Sequence, residues 1–294
     1  MSEFGVVLVG VDGSQVAKDA LVFAAREADR RGARLVVAHA CRPGTHGDGG
    51  LEVRPFAEIV RAESVATLAE LYPRLDYQVI QRDTPAADLL VELSAAADLL
   101  VVGTHRCGRA RGFVLGSVSQ RVAAQASCAV VTISGEPEHE DGPVVLGAST
   151  TPGGLAALAF ACREAALAGA AVRAVRSVTV EGLALFTSAH APVLDPVSLH
   201  AAARAELDTI VGTAAAEYPD VPVEAVVSEQ DPFTALLEAA GDASLLVIGS
   251  RRGPDSALPH LGPVAAWLLH QAACPLAVVG AGPAAPDPVA TTGT

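Results

Sequence analysis

Lysine is almost absent from the sequence, and this absence excludes one large class of nucleotide-binding proteins. Lys18 is the only lysine among 294 residues, and it follows an alanine. The phosphate-binding loop of P-loop NTPases needs a lysine between a glycine and a serine or threonine. The chain therefore cannot contain that loop.

Cysteine is scarce, and the pattern of the few that occur is not that of a metal site. There are five cysteines, an odd number, and no two of them form a Cys-x-x-Cys pair. Such a set is typical of reduced thiols, so we expect a cytoplasmic protein without a disulfide framework or a zinc site. His-Glu-x-x-His and Gly-x-Ser-x-Gly motifs are missing as well, and we predict no metal ligand and no catalytic residue.

Long apolar runs and an excess of positive charge are also lacking. No stretch reaches the roughly 18 apolar residues that a transmembrane helix needs, and no basic segment precedes an apolar core near the first residue, as it does in a secretory signal. The formal net charge is −13, from 33 acidic against 20 basic residues. General binding of nucleic acid requires a clustered basic face. We therefore expect neither a membrane nor a nucleic acid as partner.

The sequence contains a tandem repeat of one domain-sized unit. The motif at 7–14 is echoed 137 residues later, and Leu-Leu-Val-Val-Gly-Thr at 99–104 is echoed 146 residues later. The nine additional residues are expected near Glu181–Pro196. A polar, acidic stretch at 134–142 has the composition of a linker. We predict domains at 1–137 and 138–294, with a disordered tail from about residue 281.

Within each half, short apolar runs alternate with longer amphipathic segments. The strands predicted in the first half are Val6–Val11, Arg34–Ala40, Tyr77–Gln81, Leu99–Gly103 and Ala129–Ile133. The predicted helices are Gln15–Arg31, Pro55–Leu71, Pro85–Ala96 and Ser117–Ala126. This alternation predicts an α/β fold with a parallel sheet covered on both faces. Such sheets bind ligands beyond the carboxyl ends of their strands.

The first candidate ligand contact follows the first predicted strand. Asp12 stands there, and Gly13 and Ser14 lead into a helix. A carboxylate at this edge can accept hydrogen bonds from ribose hydroxyls. Asp and Ser are also ordinary residues at the start of a helix, so a purely structural role is the alternative.

The second candidate is a glycine-containing loop after the fourth predicted strand. It runs from Gly103 to Ser117, which opens the next predicted helix. Glycines let a ligand approach the backbone closely, and a helix start offers free N–H groups and a favourable dipole to anions. Arg106, Arg109 and Arg111 place three positive charges within six residues of an acidic chain. A solvated surface loop is the alternative, but the combination favours phosphate binding.

These motifs resemble those of the universal stress protein family. The resemblance is carried by Val9-Gly10-Val11-Asp12-Gly13-Ser14, Val102-Gly103, Gly116-Ser117-Val118-Ser119 and Cys128-Ala129-Val130-Val131, and it extends over nearly all of 4–133 and 143–280. The whole chain is similar to the tandem-domain form found in actinobacteria. The resemblance implies two tandem Rossmann-like (adenine nucleotide alpha hydrolase-like) domains, each a five-stranded parallel sheet with helices on both faces.

Nucleotide-binding members of that family carry three glycines in the loop after the fourth strand, and a serine or threonine follows the last one. Gly103 and Gly116 keep the first and last positions, whereas Arg106 stands where the middle glycine is expected. The guanidinium of Arg106 either clashes with the phosphates or binds them through two hydrogen bonds. Nearby Gly108 can restore freedom to the loop.

The resemblance implies ATP as the ligand, alone or with magnesium. Asp12 would bind the ribose, the backbone of Ala40 would contact the adenine, and the loop and helix start would surround the phosphates. The predicted binding residues are Gly10, Val11, Asp12, Ala40, Val102, Gly103, Arg106, Gly108, Arg109, Gly116, Ser117, Val118 and Ser119.

The resemblance further implies a regulatory or stress-adaptive role, in which the bound nucleotide changes conformation or partner choice. A slow ATP hydrolase or phosphotransferase and a nucleotide-free interaction module are the alternatives. The apolar strands Ala129–Ile133 and Leu276–Val279 are predicted to pair within the chain or between chains. The expected partners are thus an adenine nucleotide, the other half of the chain or a second copy of it, and an unidentified protein.

The second half has lost several of the polar groups of the first. Ser149 stands in place of the acid, Arg252 in place of the middle glycine, and Gly262-Pro263 in place of the glycine–serine pair. Proline is well tolerated at the first turn of a helix, but it removes a backbone N–H and a hydroxyl. We therefore predict that the second half binds nucleotide weakly or not at all.

Overall fold

The computed structural model describes residues 5–41, 53–104, 117–135, 139–178, 196–250 and 261–280. The strands are β1 (Val6–Gly10), β2 (Arg34–Ala40), β3 (Tyr77–Arg82), β4 (Leu99–Gly103), β5 (Ala129–Ile133), β6 (Val144–Gly147), β7 (Val172–Ser177), β8 (Val223–Ser228), β9 (Leu245–Gly249) and β10 (Leu276–Val279). The helices are α1 (Gln15–Arg31), α2 (Val53–Leu71), α3 (Ala86–Ser94), α4 (Ser117–Gln125), α5 (Pro152–Ala168), α6 (Pro196–Glu217), α7 (Pro232–Ala239) and α8 (Pro263–Gln271).

The elements predicted for the first half are confirmed, with ends that differ by at most two residues. Local signals explain this agreement. Ser14 accepts a hydrogen bond from the Ala17 N–H at the start of α1, and Gly32 ends the helix in the left-handed conformation at φ 60°, which glycine adopts without strain. The boundary predicted at residue 137 and the tail predicted from about residue 281 lie outside the described residues.

The described strands form one sheet in the order β3-β2-β1-β4-β5-β10-β9-β6-β7-β8. All pairings within each half are parallel. The halves meet where β5 and β10 pair antiparallel, with Val131 opposite Ala277. The two apolar strands predicted to pair therefore do so within the chain, and the sheet is continuous across both halves.

Successive strand residues point to opposite faces of the sheet, and each face carries its own layer of helices. Val7 and Val9 belong to the core with α1, α2, α5 and α6. Leu8, which lies between them, belongs to the core with α3, α4, α7 and α8. The tandem arrangement of parallel five-stranded units with helices on both faces is thus confirmed.

The strand registers place the nine additional residues of the second half. Val7 lies opposite Leu35 in the first half, and Val144 lies opposite Val172 in the second. Both residues of the second pair lie 137 positions after their counterparts in the first. In the next pairing, Leu35 lies opposite Tyr77 and Val172 lies opposite Val223. Val223 lies 146 positions after its counterpart Tyr77, which is nine more than before. The insertion therefore lies between β7 and β8. The segment predicted to contain it, 181–196, falls almost wholly outside the described residues.

Two glutamates at equivalent positions of the repeat meet between the halves. Glu27 of α1 and Glu164 of α5 are 2% and 6% exposed. Arg31 donates hydrogen bonds to both carboxylates, and Arg30 donates to Glu27 over 3.0 Å. Glu27, Arg30 and Glu164 border a cavity of about 280 Å³ between the halves, which the ion pair of Arg26 and Glu140 also lines. Burial, opposed by Arg31 and reinforced by Glu27, raises the pKa of Glu164 to about 7.

The raised pKa of Glu164 predicts a stability that falls with pH. A carboxyl that holds its proton more tightly in the folded state stabilises the fold below its unfolded pKa of 4.5, and this contribution is lost as the pH rises through about 7. Between pH 5 and pH 8, we expect the free energy of unfolding of Glu164→Gln to fall by about 1–3 kcal/mol less than that of the wild type. Urea unfolding at both pH values measures it. Glu70→Gln, on the exposed face of α2, should keep the wild-type slope, and equal slopes in all three proteins would contradict the prediction.

Within the described part of the chain, every helix is too short or too polar to cross a bilayer.

Candidate functional site

A cavity of about 280 Å³ opens at the carboxyl ends of β1 and β4. These strands are neighbours in the sheet, and the connections that leave them run to opposite sides. In open parallel sheets this is the position where ligands bind. The described residues that line the cavity are Gly10, Val11, Asp12, Ser14, Val16, Ala17, Ala38, Ala40, Ala86, Leu89, Leu90, Val102, Gly103, Thr104, Ser117, Val118 and Ser119.

Most of the residues predicted to bind ATP border this one cavity. Nine of the thirteen line it, namely Gly10, Val11, Asp12, Ala40, Val102, Gly103, Ser117, Val118 and Ser119. The other four, Arg106, Gly108, Arg109 and Gly116, lie outside the described residues. Their segment joins Thr104 to Ser117, and both of these residues line the cavity. The predicted phosphate loop therefore begins and ends at the cavity.

Asp12 has a structural role beside the one predicted for it. Its Oδ1 accepts a hydrogen bond from the Ser14 N–H over 2.9 Å, which fixes the turn that leads into α1. Oδ2 accepts no hydrogen bond from a described residue, and the side chain is exposed. A carboxylate offers about four acceptor positions. Asp12 can therefore hold the turn and still accept hydrogen bonds from a ligand.

The glycines at the strand ends are required for helix packing as well as for the close approach of a ligand. A Cβ on Gly103 would lie 3.0 Å from the backbone of Val16, and one on Gly10 would lie 2.8 Å from Cδ1 of Leu90. Both distances are too short for ordinary contact. The two glycines let α1 and α3 close against the ends of β4 and β1, and this brings the walls of the cavity together.

Sequence reasoning missed several residues of the cavity wall. Thr104 is buried, and the Ser119 hydroxyl donates to its Oγ1 over 3.4 Å. Its place directly after Gly103 and its echo as Ser250 in the repeat were signals that could have identified it. Leu89 and Leu90 form an apolar wall from α3. Nothing in their local sequence separates them from ordinary core leucines.

His39, at the end of β2, belongs to the support of the cavity and not to its lining. Its ring is 5% exposed, and its Nδ1 lies 2.8 Å from the Val11 carbonyl oxygen. The ring also lies near Phe56 of α2, at 6.3 Å between centroids. His39 thus ties the turn after β1 to β2. Its neighbour Ala40, whose backbone is predicted to contact the adenine, lines the cavity.

The second half has a cavity at the equivalent place, and its volume is about 360 Å³. Ser149 and Pro263, which replace Asp12 and Ser117, both line it. Arg252, at the position of the middle glycine, lies outside the described residues. In the described ranges of either half, no group of three or more His, Cys, Asp or Glu side chains is placed to hold a metal ion.

The chain is similar to proteins of one family along nearly its whole length. The model of the universal stress protein family matches residues 3–134 and 142–280. A universal stress protein of Mycobacterium tuberculosis is 30% identical over 292 residues, which cover 92% of this chain and 96% of that protein. One from Thermus aquaticus is 37% identical over 141 residues, 44% of this chain and 98% of its own length. The crystal structure of a universal stress protein from Archaeoglobus fulgidus has the same fold, with a TM-score of 0.68 over 95% of this chain and 100% of that chain, at 14% identity.

Proposed function

The chain belongs to the universal stress protein family, and we propose that it is a regulatory protein that binds one ATP in its N-terminal half. The observation that carries this proposal is the convergence of nine predicted residues on the cavity at the ends of β1 and β4. Its volume of about 280 Å³ is near the lower end of small-molecule sites, roughly 300–1,000 Å³.

The chemistry of the cavity wall matches the parts of a nucleotide. Ala38, Leu89 and Leu90 offer an apolar surface to a base, next to the backbone of Ala40. Asp12 offers a carboxylate to the ribose hydroxyls. The start of α4, at Ser117, presents the positive end of a helix dipole to phosphates.

We propose binding with at most slow turnover. Phosphoryl transfer needs a positioned base and a charge clamp on the phosphates. The described polar side chains that line the cavity are Asp12 and the hydroxyls of Ser14, Thr104, Ser117 and Ser119. Asp12 is the base among them, and no cation among these described side chains forms a clamp on the phosphates. The bound nucleotide then orders α1, α3 and α4 around the strand ends, and a partner protein binds the ordered form.

Asp12→Ser is the variant that tests this proposal, because the second half shows that the fold accepts it. There Ser149 stands at the equivalent position, and its Oγ accepts the Thr151 N–H over 3.3 Å, so serine preserves the turn. We expect wild-type protein to bind one ATP per chain and Asp12→Ser to bind it at least about tenfold more weakly, because charge-assisted hydrogen bonds to the ribose are lost. Isothermal titration with ATP, and chromatography of nucleotide released from denatured protein, measure this.

Asp19→Ser is the matched control, because it removes the same charge from α1 at a residue that bonds Gln15 and does not line the cavity. It should bind ATP as the wild type does. Unchanged affinity in Asp12→Ser would reduce Asp12 to a turn residue. No binding by wild type, together with no rise in melting temperature at millimolar ATP, would overturn the proposal in favour of a nucleotide-free interaction module. Steady release of ADP, lost in Asp12→Ser, would indicate a slow hydrolase.

A further inference from the structure

The cavity of the C-terminal half has kept its walls while its chemistry has changed. Sixteen of the seventeen described residues that line the first cavity have counterparts lining the second, at differences of 137 and 146 residues. The space is larger, about 360 Å³ against 280 Å³. Leu89 of the first half is replaced by Ala235, and Val16 by Gly153. The second half has therefore kept a cavity although its polar residues have changed, and its side chains indicate what it could bind.

The negative charge of the first cavity is missing from the second. Ser149 replaces Asp12 and keeps the hydrogen bond that closes the turn before the helix. The structural part of the aspartate's role therefore survives, whereas its charge does not. A ligand in the second cavity meets a neutral hydroxyl where the first cavity presents a carboxylate.

Arg176 lines the second cavity at the position equivalent to His39. In the first half this side chain is bonded to the Val11 carbonyl and does not line the cavity. In the second half Arg176 does line it. The change from His39 to Arg176 thus adds a positive charge to the wall, while the change from Asp12 to Ser149 removes a negative one.

The guanidinium of Arg176 lies next to a carboxylate of α6. Its Nε lies 2.8 Å from Oε2 of Glu206. Glu206 is not among the described residues that line the cavity, and its counterpart in the first half is Val60. The ion pair is made through Nε, and neither terminal nitrogen forms a hydrogen bond with a described residue. Arginine presents its N–H groups in a planar fork that matches a carboxylate or a phosphate.

We propose that the cavity of the C-terminal half binds a small organic anion, with its carboxylate or phosphate on Arg176. The apolar body of the ligand packs on Val175, Leu236 and Ile248, which line the same cavity. Ser177, which replaces Ala40, lines the same cavity, and its hydroxyl donates a hydrogen bond to the Gln230 carbonyl over 2.5 Å. This site does not depend on nucleotide binding in the first half.

Three naphthalene probes test the charge requirement. We expect 1-naphthyl phosphate or 1-naphthoate to bind wild-type protein one to one in isothermal titration, and the uncharged 1-naphthamide to bind at least about tenfold more weakly. Comparison of the two anions shows whether the site prefers phosphate or carboxylate. Equal affinity for all three probes, or no binding of either anion at millimolar concentration, would overturn the proposal.

Matched variants locate the site. Arg176→Gln should weaken anion binding at least about tenfold, whereas Arg204→Gln, which removes the same charge from an exposed pair on α6, should not. Arg176→Gln with Glu206→Gln removes both charges together and should fold like the wild type while binding no anion. Asp12→Ser should leave anion binding unchanged. Loss of the anion in Asp12→Ser but not in Arg176→Gln would place it in the first half and refute the assignment.

Discussion

Gly153→Ala is expected to lower the free energy of unfolding by about 3 kcal/mol, the upper end of what overpacking a core costs. Gly153 lies in the first turn of α5, and an added Cβ would sit 2.1 Å from the carbonyl oxygen of Ser250. A backbone oxygen cannot rotate away as the end of a flexible side chain can. The helix or the segment after β9 would have to shift, and both border the second cavity. Urea unfolding measures the loss.

Gly212→Ala is the matched control, because it makes the same change where there is room. Gly212 lies inside α6, and a Cβ there meets nothing within 4 Å. Alanine is the better helix former, so this variant should gain about 0.5–1 kcal/mol. If both variants were equally stable, the close approach of α5 to the segment after β9 would be wrong.

Arg31→Met is expected to destabilise the protein by about 3 kcal/mol at pH 8, because removing one partner leaves buried charges uncompensated. Arg31 donates hydrogen bonds to both Glu27 and Glu164, whose side chains are only 3% and 7% exposed. Methionine keeps the apolar stem of the arginine and removes its charge. At pH 5 the loss should be smaller, because Glu164, with a pKa of about 7, is then protonated and needs no cation.

Two variants separate the charge effect from general damage. Arg34→Met breaks the exposed pair of Arg34 and Asp76, whose side chains are 50% and 66% exposed, and should cost less than about 1 kcal/mol. Arg31→Met combined with Glu164→Gln should recover part of the loss at pH 8. A loss that is the same at pH 5 and pH 8 would show that packing, not charge, is what Arg31 contributes.

The sequence by itself predicted the repeat and the elements of the first half, and it named nine of the seventeen described residues that line the cavity. The reason is that these features have local signals. Apolar runs and helix periodicity mark the elements, Ser14 and Gly32 mark the ends of α1, and the carboxyl ends of parallel strands lie at one edge of a sheet. Residues at or just after the ends of β1 and β4, such as Gly103 and Asp12, therefore lie close together.

Only the tertiary structure decided which distant residues touch. Leu89 and Leu90 close the cavity because α3 packs against the end of β1, and Gly103 admits the first turn of α1. Arg31 donates hydrogen bonds to Glu27 of the first half and to Glu164 of the second. Arg176 lines the second cavity while its equivalent, His39, does not line the first. These contacts join residues far apart along the chain, so no local periodicity or capping signal records them, and they follow only once ten strands have been ordered into one sheet.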